Sequence, residues 1–406
     1  MRVDGERMRE DFVALAEIGA TAAGGVDRPS LGDAHLAARR WFLDRAAAAG
    51  LETRVDAAGN HSATLPADGQ TLLLGSHLDS VPNGGRYDGA LGVVAALHVL
   101  LAVQASGADL HVALEAVDFT DEEGTLVGLL GSEALAGTLT AEKLHAPRGG
   151  RDAFLAGLAR SGLAEESLFS ARRDPATLRG YLELHIEQGP VLARAGVQIG
   201  VVTEIVGARS FALRFGGSAA HAGTTPMDAR RDAGLAAASF AVAANEIVVR
   251  EFPGCVATIG DIRLQPGAYN VVPGVATAAL EFRSTDADEL DALESTLLAA
   301  ARTAAGGRAV ELEVEPVGRW EPTPLDPDVC DAIESAAAEL GLSSLRLHSG
   351  AGHDAQALAG VTRAGMVFVP SVAGLSHAPG ESTPWEDCVN GANVLLGAAL
   401  ALAARR

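Results

Sequence analysis

The stretch TLLLGSHLDSVPNGGRYDGALGVVAALHVLLAVQA, residues 71–105, decides the fold class. Its opening TLLLG is a short apolar run that reads as a buried strand. SHLDSVPNGGRYDG follows, rich in Gly, Asn and Pro, and reads as a loop. Residues 89–105 are then apolar almost throughout, as in a buried helix, with Asp88 standing where a cap is expected. Working outward, residues 110–119 form a second apolar strand that runs into TDEEG, and residues 35–49 form an amphipathic helix ended by Gly50. Strand, loop, helix and strand in this order predict an α/β domain with a largely parallel sheet. Ligands gather at the carboxyl ends of such strands, where both polar clusters lie.

The pattern changes near Gly207. RSFALRFGG reads as a strand, residues 228–248 as an Ala-rich helix, CVATIGDIRLQ and GVATAALEFRST as two strands, residues 286–304 as a helix, and RAVELEVEPVGRW as a last strand. This βαββαβ order predicts a compact α+β domain on the ferredoxin-like plan. Helix and strand alternation resumes after the Pro-rich residues 322–327. The expected architecture is one discontinuous domain, residues 1–206 and 323–406, with a smaller domain, residues 207–322, inserted into it.

Composition narrows the function classes. The 406 residues carry 31 Lys and Arg against 52 Asp and Glu, a net charge of −21. Nucleic acid and anionic membrane both require a basic patch, so neither is an expected partner. Cys255, Cys330 and Cys388 are odd in number and lack CxxC spacing, which suits a reducing compartment better than a disulfide framework. The N-terminal MRVDGERMREDF has no apolar leader run. The closest candidate for a membrane span, residues 89–105, is too short and contains His98 and Gln104. A cytoplasmic location is expected.

Several histidines fall in Gly-rich loops beside carboxylates. His77 ends the first strand, and Asp79 two residues on can fix its ring through the second nitrogen; a hydrogen-bonded surface histidine accounts for this pair equally well on its own. Asp121, Glu122 and Glu123 at the end of the second strand repel one another unless a cation or a shared proton relieves them. One can ligate a metal while its neighbour stays free as a base, although a solvated acidic turn has the same composition. His185 in ELHIEQGP and His377 in GLSHAPGE have core and loop explanations of their own. Five such elements at strand ends and loops are harder to explain separately. HExxH, GxSxG and the P-loop pattern are all missing from the sequence, which disfavours other zinc, serine-nucleophile and phosphate chemistries.

GSHLDSVPNGGRYDGALGV, DEEG, ELHIEQGPVL, HAGTTPMDARRDA, SGAGHDAQ and GLSHAPGE, in this order, resemble the segments of the N-carbamoyl-L-amino acid hydrolase, allantoate amidohydrolase and β-ureidopropionase group. That group belongs to the aminoacylase and carboxypeptidase-like dinuclear metallohydrolases. The resemblance implies that His77, Asp88, Glu123, His185 and His377 hold two divalent metal ions (zinc, or manganese, cobalt or nickel), with Asp88 bridging. It implies that Glu122 is the general acid/base and that Asp79 orients His77. It further implies that Gln188, His221, Asn270 and Arg283 bind a small substrate bearing a carboxylate, His221 also donating to the oxyanion. The inserted domain would be a lid and the contact of a homodimer. The implied reaction is hydrolysis of the ureido bond of an N-carbamoyl-L-amino acid. Allantoate, a β-ureido acid or an N-acyl amino acid are alternatives on the same site, and a silent binding protein is an alternative of another class. Leu126 and Val127 stand where relatives often carry Arg or an aromatic, and Ala378 where they often carry Asn; the pair at 126–127 is expected in the core.

Overall fold

The structure is a computed structural model that describes residues 1–404. The chain divides into two compact units, Met1–Thr203 with Pro324–Arg406, and Glu204–Thr323. In chain order the strands are β1 (Glu52–Val55), β2 (His61–Leu65), β3 (Thr71–His77), β4 (Ala113–Phe119), β5 (Leu178–Ile186) and β6 (Ile199–Ile205). There follow β7 (Gly207–Gly216), β8 (Ala220–His221), β9 (Val256–Gln265), β10 (Val271–Val272), β11 (Val275–Ser284) and β12 (Glu311–Trp320). The last three are β13 (Thr323–Pro324), β14 (Ser344–Ser349) and β15 (Ala364–Val369).

The larger unit is a mixed α/β fold around one sheet in the order β1-β2-β4-β3-β5-β15-β6-β13, with β14 beside β6. Its centre is parallel: β3 pairs with β4 and β5, and β5 with β15, all in one direction. Antiparallel β2 and β6 flank that centre. Leu72, Leu73 and Leu74 are fully buried, as expected for a strand covered on both faces. Each such leucine stabilises the fold by about 1.5–3 kcal/mol relative to exposure. The helix Ala90–Ser106 is apolar all round because it packs against β3 on one side and the helix Trp385–Ala404 on another.

Its start corrects the sequence reading. Gly89, not Asp88, is the N-cap, with φ +62° and no side-chain cap bond. A Cβ at Gly89 would lie 2.5 Å from the His77 ring, so this left-handed, close-approach position requires glycine. Asp88 is thereby freed from capping.

The smaller unit is a four-stranded sheet in the order β12-β7-β11-β9, antiparallel throughout. The helices Ala233–Glu251 and Ala287–Gly306 share a core with it, built on Phe211, Phe215, Phe240, Phe282, Leu290 and Leu297. The first of these helices begins later than its composition suggests, where the Asp232 carboxylate accepts from Leu235 N–H at 3.0 Å. Ala233–Glu251 and Trp385–Ala404 both reach the length and mean hydropathy of a membrane span, which uninterrupted apolar runs did not foretell. Each buries one face inside its own unit, as core helices do.

Candidate metal centre

The parallel pairing sets His77 directly beside Phe119, so the loop after β3 and the TDEEG turn after β4 leave the sheet side by side. A buried ion pair behind them joins the two strand ends. Arg39 Nε lies 2.9 Å from Asp118, and Arg39 also donates to the carbonyls of Gly59 and Phe119 and to the Thr120 hydroxyl. The Asp118 carboxylate in turn accepts from Leu78 N–H at 2.8 Å. β5, on the other side of β3 from β4, delivers His185, opposite Phe368 of β15. His377 arrives on the loop before the last helix.

These groups converge on Asp88. His77, Asp88 and His185 present ligand atoms within 4.8 Å of one another, and so do Asp88, Glu123 and His377. Asp88 Oδ1 stands 3.1 Å from His185 Nε2 and 3.5 Å from His77 Nε2, while Oδ2 stands 3.3 Å from His377 Nε2. Glu123 is 3.4 Å from His377 Nε2. Glu122 belongs to neither triad; its carboxylate is 3.4 Å from His77 Nε2.

The protonation pattern tests whether this donor set suits cations. Burial alone would depress the His77 and His185 imidazolium forms, but Glu122 and Asp88 outweigh it and raise both. The bond to Asp88 raises His377 to about 9. Burial opposes ionisation of Asp88, yet its three histidines hold it well below the usual carboxylate range. Burial and neighbouring acids push Glu122 well up and Glu123 to about 7. The cluster thus gathers protons around its carboxylates, as a site built for positive charge does when protons supply it. His77 Nε2 and Glu123 Oε1 are buried with no hydrogen-bond partner, which is costly unless another ligand satisfies them. Neutral imidazole and carboxylate donors suit zinc, manganese, cobalt or nickel, and the residues present fit divalent-cation binding in either group that contains Asp88.

The orienting group on His77 differs from the expected one. His77 Nδ1 is 3.0 Å from the Asp79 backbone carbonyl and 3.7 Å from its carboxylate. The Asp79 carboxylate instead accepts the N–H groups of Glu122 and Glu123, both at 3.3 Å. Asp79 therefore links the first loop to the acidic turn, because a side chain leaving one strand end reaches the neighbouring turn more directly than its own i−2 ring.

The three adjacent acids divide their work. Asp121 has φ +58°, and its carboxylate accepts from Thr125 Oγ and from the N–H groups of Leu126, Val127 and Gly128. It organises the loop behind it, leaving Glu122 and Glu123 to face Asp88. Leu126 is buried in a cluster with Leu31, Leu130 and Phe154, with Val127 packed against it.

Gln188 joins the centre: its Nε2 donates to Asp88 Oδ2 at 2.8 Å. Ser376 and Glu381 carried no assigned role in the sequence, although both lie in its SHAPGE stretch. Ser376 Oγ is 3.1 Å from Asp88 Oδ2 and 2.8 Å from Glu381. A further group, Glu183, His185 and His353, also gathers possible ligands. Its carboxylate is already engaged: Glu183 receives Ser76 Oγ, Tyr181 Oη and Ala355 N–H, and His353 Nε2 pairs with Ser349. It supports His185 from below, the His353 ring lying 4.5 Å from it.

His221, Asn270 and Arg283 lie in the smaller unit and split into two places. β8 pairs with β10, and Ala222 N–H donates to the Asn270 carbonyl at 2.9 Å, so His221 and Asn270 are neighbours. His221 is exposed, and its Nδ1 accepts from the N–H groups of Gly223 and Thr224. Arg283 sits at the other end of β11, paired with Ala208, and its guanidinium bonds Glu281 at 2.7 Å. Eight residues of antiparallel strand separate its level from that of Val275 beside Gly216, about 27 Å.

Comparison with known proteins places this arrangement. The sequence matches peptidase family M20/M25/M40 over residues 73–401. It is 38% identical to an N-carbamoyl-L-amino acid amidohydrolase of Geobacillus stearothermophilus, covering 97% of each chain. It is 34% identical to a ureidoglycolate hydrolase of Arabidopsis thaliana, covering 97% of this chain and 86% of that one. An amidase of the hydantoinase/carbamoylase family from Burkholderia multivorans superposes with a TM-score of 0.89 at 35% identity, over 100% of this chain and 99% of that one.

Proposed function

The chain belongs to peptidase family M20/M25/M40, and on that premise we propose that it hydrolyses the ureido C–N bond of an N-carbamoyl-L-amino acid at two divalent cations. The observation that carries the reading is the sharing of Asp88 between two ligand triads, with Glu122 left outside both. In the reading His77, Asp88 and His185 hold one cation, and Asp88, Glu123 and His377 the other. Bound there, the cations supply Lewis acidity to the carbonyl and lower the pKa of water.

Glu122 is the general acid/base. Its side chain is only 8% exposed, and burial raises its pKa well above the usual carboxylate value. It takes a proton from the attacking water and returns it to the amino-acid nitrogen as the C–N bond breaks. The carbamate released decomposes to carbon dioxide and ammonia. Gln188, anchored through its backbone N–H to Ser371, orients substrate beside Asp88.

His221, Asn270 and Arg283 complete substrate binding. The Nδ1 acceptor bonds of His221 leave its proton on Nε2, the tautomer that donates to a developing oxyanion. Arg283 grips the substrate carboxylate bidentately, exchanging its bond to Glu281. One copy of the smaller unit cannot close both of its ends on one small molecule, so the reading assigns a homodimer whose copies each contribute one end. The smaller unit serves as lid and dimer contact. In support, Leu235, Val242 and Val249 are exposed at seven-residue spacing on one stripe of its first helix, and edge strand β9 exposes Val256, Ile262 and Leu264. The buried free thiols of Cys255, Cys330 and Cys388 suit the cytoplasm.

The test is a substrate panel assayed after chelation and reconstitution. Chelation is expected to abolish ammonia release from N-carbamoyl-L-amino acids, and zinc, manganese, cobalt or nickel to restore it. Turnover confined to allantoate, ureidoglycolate or N-acyl amino acids would move the substrate assignment while keeping the centre. Full turnover in metal-free protein would sink the reading.

A further inference from the structure

Two loops almost three hundred residues apart carry Asp88 and His377, and one side chain joins them. Glu381 is 1% exposed. Its Oε1 accepts the backbone N–H groups of Tyr87 at 2.9 Å and Asp88 at 3.1 Å. Its Oε2 accepts the hydroxyl of Ser376, the residue before His377, at 2.8 Å. The first loop is shaped to receive it: a Cβ at Gly85 would lie 2.0 Å from the Glu381 carboxyl carbon. The second loop is held in an uncommon conformation, with His377 at φ +54°, which persists only where surrounding bonds over-determine it.

We propose that Glu381 is a positioning residue that locks the Tyr87–Asp88 backbone to the Ser376–His377 loop, so that the bridging carboxylate and the exposed histidine reach the second cation as one preset pair. The inference rests on the two-cation reading above. Without Glu381, the N–H groups of Tyr87 and Asp88 and the Ser376 hydroxyl lose a common acceptor. The half-exposed His377 then has the least support of the five ligands, because it is carried by a surface loop and the other four lie on strand ends or buried turns. Groups that orient metal ligands through hydrogen bonds change metal affinity by roughly 10–100-fold when removed. Glutamine at this position keeps an oxygen for the two N–H groups and lets the Ser376 hydroxyl turn to Asp88. It therefore preserves the tether without the charge.

Cobalt(II) titration of the metal-free full chain, followed by visible absorption, tests this in Glu381→Ala and Glu381→Gln, with amide hydrogen exchange on the same samples. Expected for E381A is a roughly 10–100-fold loss of affinity at one of the two cobalt sites, with faster exchange at Tyr87 and Asp88 and unchanged exchange in β3 and β4. E381Q should bind cobalt nearly as wild type does. An E381A protein with wild-type cobalt affinity and spectrum overturns the inference. So does an E381Q protein as weak as E381A, since the loss would then follow charge and not the bonds, and so does exchange that quickens throughout the sheet. Wild-type protein that takes up no cobalt overturns the two-cation reading and this inference with it. Wild type that binds cobalt beside an unaffected E381A overturns the inference alone.

Discussion

The two units place their polar groups by opposite rules. In the larger one the central strands are parallel, so β3, β4 and β5 all end at the same edge of the sheet. His77, the acidic turn and His185 meet there although more than a hundred residues separate the first from the last. In the smaller one neighbouring strands run antiparallel. The segments after β7 and β9, which carry His221 and Asn270, therefore leave one end of the sheet, and Arg283 on β11 lies at the other. Parallel pairing concentrates chemistry within one chain. Antiparallel pairing separates it, and in the proposed reading a second copy supplies the missing end.

The largest effect tests the concentrated half. Glu122→Gln keeps both ligand triads and removes the base, so turnover should fall by roughly 10²–10⁴-fold while metal analysis still finds wild-type content. Unchanged turnover would mean that the strand-end cluster binds without Glu122 doing proton work.

The separated half is tested by complementation. His221→Ala and Arg283→Ala homodimers should each be nearly inactive. Mixed at random they form hybrids with one intact site in two, and activity should return to roughly a quarter of wild type. Mixtures as inactive as their parents would show that both ends of the smaller unit act in one copy. Val249→Lys, on the exposed stripe of the helix Ala233–Glu251, should dissociate the dimer in sedimentation velocity and lower turnover, with little change in thermal stability because the residue is 72% exposed.

The smallest effect is expected at an ion pair of the larger unit away from the strand ends. Asp11 bonds His98 Nε2 at 2.8 Å and Arg45 at 2.9 Å. Burial opposes its ionisation, but these two partners hold its pKa below the ordinary aspartate value. A depressed carboxylate contributes stability above its unfolded pKa and loses it as pH falls through the folded value. Asp11→Asn should therefore cost up to about 1 kcal/mol near neutrality, with the difference from wild type beginning to shrink as pH falls below about 4. Urea unfolding at pH 7 and at pH 3.5 measures this. Turnover at neutral pH should be unaffected.

Legibility in the sequence follows from how local each cause is. TLLLG and LEAVDF announce buried strands because burial on both faces demands continuous apolar residues, and the polar runs at their ends mark where ligands gather. Asp88 was misread as a cap because capping statistics describe residue types, whereas the close approach of the His77 ring makes Gly89 the turning point. Among DEE, composition could not tell that Asp121 faces backward to its own loop while its neighbours face Asp88. Asp79 was expected to hold His77 with its carboxylate, and the neighbouring strand end claimed that carboxylate through two peptide N–H groups. Glu381 lay in plain view within SHAPGE, but its partners are at Tyr87 and Asp88, and no local pattern links them.

The sequence by itself determined the order of elements, the α/β class and the chemistry available at each strand end, because apolar periodicity and residue type act over a few residues. Only the tertiary structure decided which carboxylate faces the histidines, that Glu381 joins the Asp88 and His377 loops, and that Arg283 stands at the opposite end of β11 from the segments that carry His221 and Asn270. Those depend on strand order and pairing direction, which are settled when distant segments bury their faces together and not by any residue's near neighbours.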